Sequence, residues 1–326
     1  MFPMHRLRRR GSEILGLTNS RWSKRPAGLY VFTFHRIGDA EKADFDPNVF
    51  SCSASGFTDV VEFIKREFDV LDLGDVREQQ TKSKAAPHCA PRAALITFDD
   101  GYVDNFETAV PLLRELDVPA TFFISVSMAN GVLPWWDVVA YWVRRSTTGT
   151  LRLNGTQIDL SQNRDAAIRP ILRAFKHETD NLDLKLERYR ELLAPAGDPP
   201  SGRITMNWEQ IQQVANSGFS VASHTMTHPI LAHLDEGEQR RELAESKSVL
   251  EEQLGRSINS VAFPVGGDDT FSQVTMDLAK ESGYEFAFTS LPGINRWGQF
   301  NDHRLHRISV DSGNIADLRY RIGKLI

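Results

Sequence analysis

The sequence predicts an α/β fold, a parallel sheet or a (β/α) barrel, and three observations predict it. Short apolar runs rich in β-branched and aromatic residues alternate with segments of helical period along most of the chain. The runs are apolar at consecutive positions, as strands buried on both faces are. Several of them stop at residues that carry chemistry: His35, Asp99 with Asp100, His224 with His228, and the turn at Pro264. In a barrel these positions converge on one face, beyond the carboxyl ends of the strands.

Composition narrows the class. At 326 residues the chain can bury a large core, as one α/β domain of barrel size or as two smaller ones. A net charge of -5 gives no reason to invoke nucleic acid. No apolar run approaches the ~18 residues of a membrane span. Cys52 and Cys89 have no Cys-x-x-Cys spacing, which argues against a disulfide framework and for a reducing compartment. Residues 1–25 carry Arg6, Arg8, Arg9, Arg10, Arg21, Lys24 and Arg25 against Glu13 alone. Ile14 to Leu17 is too short for the apolar core of a secretory signal, so the expected location is cytoplasmic. We expect a flexible basic tail over 1–25, able to touch anionic lipid at the cytoplasmic face, and a single domain over 26–326.

The elements follow in order. Leu29 to Phe34 reads as the first strand and ends at His35. Phe57 to Phe68 is an amphipathic helix with Val60, Val61, Ile64 and Phe68 on one stripe. Val70 to Leu73 is a short strand, and 79–92 reads as a surface loop without periodicity. Ala94 to Phe98 is the central strand; Asp104 is placed to cap a helix through Phe106, Val110 and Leu113, kinked or restarted at Pro111. Ala120 to Ser125 is the next strand.

Residues 127–203 read as an irregular insertion, a candidate lid that lacks the apolar content for a core of its own. Trp135, Trp136, Tyr141 and Trp142 crowd its first helical stretch, and the edge at Trp135 is a candidate platform for stacking sugars. Asn154-Gly155 marks a hairpin, and polar helical sequence follows from Ala166 to Leu193. Asn207 with Gln210 forms a capping signature, and Gly218 ends that helix before the strand Phe219 to Ala222. Helices from Glu238, Phe271 and Ile315 alternate with strands at Ser260, Phe286 and Leu305 through the rest of the chain.

The chemistry sits in two motifs. Neighbouring residues of a strand point to opposite faces, so Asp99 and Asp100 share one site only where the strand stops. Gly101 permits that turn at low steric cost. His224 and His228, four apart after another strand, can present two nitrogens to one metal.

Together, Thr97-Phe98-Asp99-Asp100-Gly101, His224-Thr225-x-x-His228, Pro119-Ala120-Thr121-Phe122-Phe123 and the Pro264-Val265-Gly266 turn resemble the successive motifs of NodB-type polysaccharide deacetylases, carbohydrate esterase family 4. The resemblance runs from about Tyr30 to Val310. It implies a distorted (β/α) barrel holding one divalent metal, zinc first, with cobalt, nickel or iron as alternatives. By matching position it makes Asp99 the base and Asp100, His224 and His228 the metal ligands, with Thr225 bracing their loop. The family's Arg before the proline, which orients the base, and the aromatic after it are replaced by Ala262 and Val265. Arg307 is the candidate substitute for that Arg. The late Leu-x-His motif that supplies the acid is missing. Some members are permuted and carry the acid on the first strand, so His35 takes the role, with His306 as rival.

The chemistry that the resemblance implies is amide hydrolysis at an N-acetylated amino sugar of a glycan. One carboxylate and two imidazoles leave open positions on a zinc-like ion, as catalytic sites do. The Val265 N–H is a candidate oxyanion donor, and Tyr102 and Trp135 are candidate substrate contacts. A hydrolase of another C–N bond (a small amide, imide or formamide) would use the same residues, and a non-catalytic glycan-binding relative would keep the cleft. No obligate protein partner is implied.

Overall fold

A computed structural model describes residues 21–326. Its strands, in chain order, are β1 (Gly28–Phe34), β2 (Arg36–Ile37), β3 (Phe50–Cys52), β4 (Asp69–Val70), β5 (Arg92–Phe98), β6 (Thr121–Ile124), β7 (Thr150–Leu153), β8 (Thr156–Asp159), β9 (Ser220–Ser223), β10 (Ser260–Ala262), β11 (Phe286–Pro292) and β12 (Leu305–Ser309). Seven of them close a parallel barrel in the order β1-β12-β11-β10-β9-β6-β5. β5 pairs back onto β1 along its whole length, from Gly28↔Arg92 to Phe34↔Phe98. β4 lies against the amino end of β5, and helices surround the barrel.

Strand alternation sorts the apolar residues into two cores. Leu29, Val31, Ala93, Leu95, Phe123, Ala222, Ala262, Phe286, Phe288 and Leu305 fill the barrel interior as one cluster. Their neighbours, among them Tyr30, Phe32, Phe34, Ala94, Ile96, Phe98 and Phe122, face outward and pack against the helices. The helix Ala54–Glu67 and its C-cap Phe68 meet that outer layer through Phe57 and through Val60, Val61, Ile64 and Phe68, the last four being the stripe read from the sequence. The chain thus forms the closed (β/α) barrel that was expected.

Four local expectations change. Residues 79–92 are not a loop: a helix spans Val76–Ala85, and a 3-10 turn spans Pro87–Cys89. That helix has no apolar stripe for a periodicity argument to find. It is held by polar contacts, Arg77 to Glu285 (2.5 Å) and Asp302 (2.7 Å) and Gln80 to Asp302 (3.0 Å). Asp104 does not cap its helix; it accepts from Arg36 Nε (2.8 Å) and the Ile37 N–H (2.9 Å). The helix begins instead as a π-helical turn over Asn105–Ala109. It restarts as an α-helix at Val110–Glu115, where Pro111 falls in the first turn and its missing donor is not needed.

The insertion does have a core of its own. Its helices Trp135–Arg144, Arg164–His177 and Leu182–Leu193 and the β7–β8 hairpin bury Trp136, Val139, Trp142, Ile168, Ile171, Phe175 and Tyr189 together. The helix Trp135–Arg144 is rich in apolar residues, and the two more polar helices add theirs to it. Tyr102 and Phe45 join this cluster and tie it to the barrel rim. Finally, the end of the expected basic tail is docked. Trp22 is buried against Phe63, Arg25 lies 3.5 Å over its ring, and Arg25 pairs with Glu67 at 3.2 Å. The rest of the expected tail, residues 1–20, lies outside the described residues. No helix of the described residues is long and apolar enough to cross a membrane.

Candidate active site

Strand parity aims the site. Leu95 and Thr97 face the barrel interior, so Asp99 follows them inward; Val31 leads in the same way to His35, Ala222 to His224, and Leu305 to Arg307. Asp100 has the wrong parity. It joins its neighbour because its backbone takes φ 71°, a left-handed conformation disfavoured for a residue with a Cβ. Thr225 (φ 65°), His228 (φ 60°) and Val265 (φ 62°) are held the same way in the facing loops. For β-branched Val265 this is an outlier, the kind of stored strain that gathers at functional sites.

These turns bring Asp100, His224 and His228 together, with ligand atoms within 4.8 Å of one another and all three residues buried. Asp100 Oδ1 lies 3.4 Å from His224 Nε2 and 3.3 Å from His228 Nε2. Among the described residues that buried oxygen has no hydrogen-bond partner, an omission that a cation would repair. His224 Nδ1 is 2.8 Å from the Ala262 carbonyl, which fixes the ring and turns the Nε2 lone pair to the cluster. One carboxylate and two imidazoles converging in this way fit a divalent metal of the zinc type with positions left open. Burial raises the Asp100 carboxyl, but the two histidines outweigh it and hold it well below the usual carboxylate range. Burial lowers His228, which favours the neutral, ligating form.

Asp99 is gripped from β12, two strands away across β1. Arg307 donates from Nη1 to Oδ1 at 2.7 Å and from Nη2 to Oδ2 at 2.8 Å, and its own Nε donates to the Thr289 carbonyl at 2.7 Å. Both partners are buried. Burial raises the Asp99 carboxyl, yet Arg307 and His224 more than offset this and leave it below the ordinary value, so it is ionised. His35 Nε2 stands 4.0 Å from Asp99 Oδ2. Its backbone is pinned by Ser51 Oγ, which accepts the His35 N–H at 3.0 Å, and by Asn105 Nδ2, which donates to its carbonyl at 2.6 Å.

A cleft of about 660 Å³ opens over these groups, lined by His35, Asp99, Asp100, Trp135, His224, His228 and Val265. Two expected residues are not there. Tyr102 is fully buried beneath the site: its hydroxyl donates to Asp137 at 2.6 Å and accepts from Trp136 Nε1 at 2.7 Å. It therefore seats Trp136, whose ring packs 4.5 Å from that of His228, rather than a substrate. His306 neighbours Arg307 on β12 and so faces away from the interior; it lies against Gly293, outside the cleft. Sequence reasoning missed Glu242. It accepts from the Met226 N–H (2.8 Å), the Thr227 N–H (2.9 Å) and the Thr227 hydroxyl (2.6 Å), bracing the loop between the two histidines. One glutamate in an acid-rich helix carries no signal of its own.

Fold and site together define a parallel (β/α) barrel with an Asp–His–His cluster at the carboxyl ends of its strands. The family model for polysaccharide deacetylase matches residues 88–146 and 199–287, the two stretches that hold the aspartates and the histidines. YxkH of Bacillus subtilis, named as a polysaccharide deacetylase, is 22% identical over 296 residues, covering 90% of this chain and 76% of its own. Among solved structures, the deacetylase PplD of Streptococcus pyogenes superposes with a TM-score of 0.55 at 16% identity, over 87% of this chain and 93% of that one. IcaB from Ammonifex degensii gives 0.56 at 18%, over 92% and 97%. The chain thus carries sequence matching the polysaccharide deacetylase model, and its barrel is the one seen in NodB-type deacetylase structures.

Proposed function

We propose that this protein is a metal-dependent hydrolase that removes N-acetyl groups from amino sugars of a glycan. The observation that carries the reading is the convergence of Asp100, His224 and His228 in one cleft with the Arg307-bound Asp99 and with His35. Asp100, His224 and His228 hold the metal. When bound, the ion supplies Lewis acidity toward the acetyl carbonyl and makes a nearby water more acidic. Asp99 takes the proton of the attacking water, and Arg307 keeps its carboxylate ionised and aimed. The Val265 N–H donates to the acetyl oxygen as charge builds there. His35 then gives a proton to the departing amine nitrogen, because an unprotonated amine leaves poorly. Acetate and a free amino sugar result. Trp135, stacked 4.8 Å on Phe175 at the cleft wall, offers a rigid face to a sugar ring.

The test pairs metal analysis with acetate release from N-acetylated oligosaccharides. The wild-type chain should carry a divalent ion and release acetate; Asp100→Asn and the double variant His224→Ala/His228→Ala should lose both. Asp99→Asn should keep the ion and lose most turnover. Unchanged metal stoichiometry in the ligand variants would reject the site. Metal loss in Asp99→Asn equal to that in Asp100→Asn would mean that the two aspartates have exchanged roles.

A further inference from the structure

One wall of the cleft is unused by this chemistry. Arg169, Arg173 and Lys176 stand on the insertion helix Arg164–His177, and all three line the cleft that contains Asp99 and Asp100. Spaced four and three residues apart, they share a helix face. Their charges are not spent on carboxylates. Arg169 donates from Nη2 to the Asn48 carbonyl at 3.0 Å, Lys176 Nζ lies 5.9 Å from the centroid of the Trp135 ring, and among the described residues none of the three forms an ion pair. The acids lining the cleft have nearer partners than these cations, Asp100 lying 3.4 Å from His224 and 3.3 Å from His228. Asp99 is held by Arg307, Asp46 Oδ1 accepts from Asn48 at 2.9 Å and 2.7 Å, and Asp311 pairs with Arg321 at 2.8 Å. Burial and the neighbouring Arg169 charge press the Lys176 pKa down, and the more distant Asp100 and Asp46 charges only partly oppose them.

Three unpaired cations facing one cleft favour an anion, and guanidinium groups suit carboxylate and phosphate oxygens in particular. We propose that the substrate glycan is itself anionic: an N-acetylated glycan with a carboxylate or phosphate on or beside the sugar that loses its acetyl group, held by Arg169, Arg173 and Lys176. This rests on the deacetylase reading above and adds the substrate class. A neutral glycan in the same pose would cover the three cations without pairing them, which disfavours it; the wall thus selects by exclusion as well as by attraction. The wall belongs to the insertion, while the reacting groups belong to the barrel, so specificity and chemistry sit on separate elements.

The test compares three tetrasaccharides on the full, metal-loaded chain: a neutral N-acetylglucosamine tetramer, a tetramer alternating N-acetylglucosamine with glucuronate, and the neutral tetramer phosphorylated at one O6. Both binding by calorimetry and acetate release are measured, in the wild type and in Arg169→Gln/Arg173→Gln/Lys176→Gln. The wild type should bind at least one anionic tetramer ~10-fold or more tightly than the neutral one, with a preference that weakens in salt. The triple variant should lose that preference and retain its metal, and its binding of the neutral tetramer should stay within a few-fold. The better anionic arm names carboxylate or phosphate. Equal binding of all three tetramers by the wild type, or a preference that survives in the triple variant, overturns the inference. Preferential binding without acetate release from any tetramer would instead fault the deacetylase reading and leave the anionic class standing.

Discussion

His35 and Arg307 approach Asp99 from different strands, and each invites a measurement that separates chemistry from structure. His35 Nε2 is 4.0 Å from the carboxylate and lines the cleft, whereas His306 points away from it. His35→Ala should therefore retain metal and slow amide cleavage by ~10²–10⁴-fold, the span of a positioned proton donor. The loss should shrink on activated acetyl esters, whose leaving groups need no proton. His306→Ala should show no such amide-selective loss; if it does and His35→Ala does not, the acid is misassigned. Arg307 makes two parallel bonds to Asp99 that an ammonium cannot reproduce. Arg307→Lys should lower kcat by about 10²-fold through misplacement of the base, with KM little changed and metal retained. A raised KM at unchanged kcat would show that Arg307 contacts substrate instead.

At the scale of elements, the loop after β9 is the part of the site most dependent on outside support. It carries two left-handed residues between and at the histidines, and its internal bond is weak, with the His228 N–H donating to Thr225 Oγ1 at 3.2 Å. Glu242 on the helix Glu236–Leu254 ties down its two central N–H groups. Glu242→Ala leaves every ligand in place, yet it should weaken metal binding by about 10- to 100-fold, the usual effect of removing an outer support. Competition against a chelator of known affinity measures this, and an unchanged affinity would show that the loop holds itself. The Pro264 turn is braced differently: a Cβ on Gly266 would stand 2.5 Å from the Ser290 nitrogen, so only glycine lets β11 approach there.

For the whole molecule, burial of ionisable core groups sets an alkaline limit. Burial pushes Cys52 up to about 12, and Tyr30 and Tyr284 up to about 12 as well. Each stays protonated in the fold while the unfolded chain begins to lose its proton near the ordinary values of 9.0 and 10.0. Between those values and 12 the folded state binds more protons, so stability falls as pH rises. Urea midpoints should hold steady up to about pH 9 and then decline toward pH 12, on the scale of the ordinary thiol and phenol values. A midpoint that does not fall above pH 10 would mean that these groups are not sealed in the core.

The barrel was readable from the chain because strands buried on both faces leave continuous apolar runs, and the runs end at the candidate site residues. Parity within a strand is local, so it already aims His35, Asp99 and His224 at one lumen once closure is granted. The capping box at Asn207 and Gln210 and the Asn154-Gly155 hairpin are likewise local, and both formed where they were read. What lay beyond the sequence depends on long-range partners. The helix Val76–Ala85 has no apolar period and exists through Glu285 and Asp302, more than two hundred residues away. Trp136, Phe175 and Tyr189 become a core only when three modest helices meet. Tyr102 read as a candidate substrate contact beside the aspartates, and only the packing of the insertion seals it beneath them. Local sequence could place each candidate site residue near the end of its strand; tertiary closure alone decided which of them share a cleft, because barrel pairing and insertion docking are settled between segments far apart in the chain.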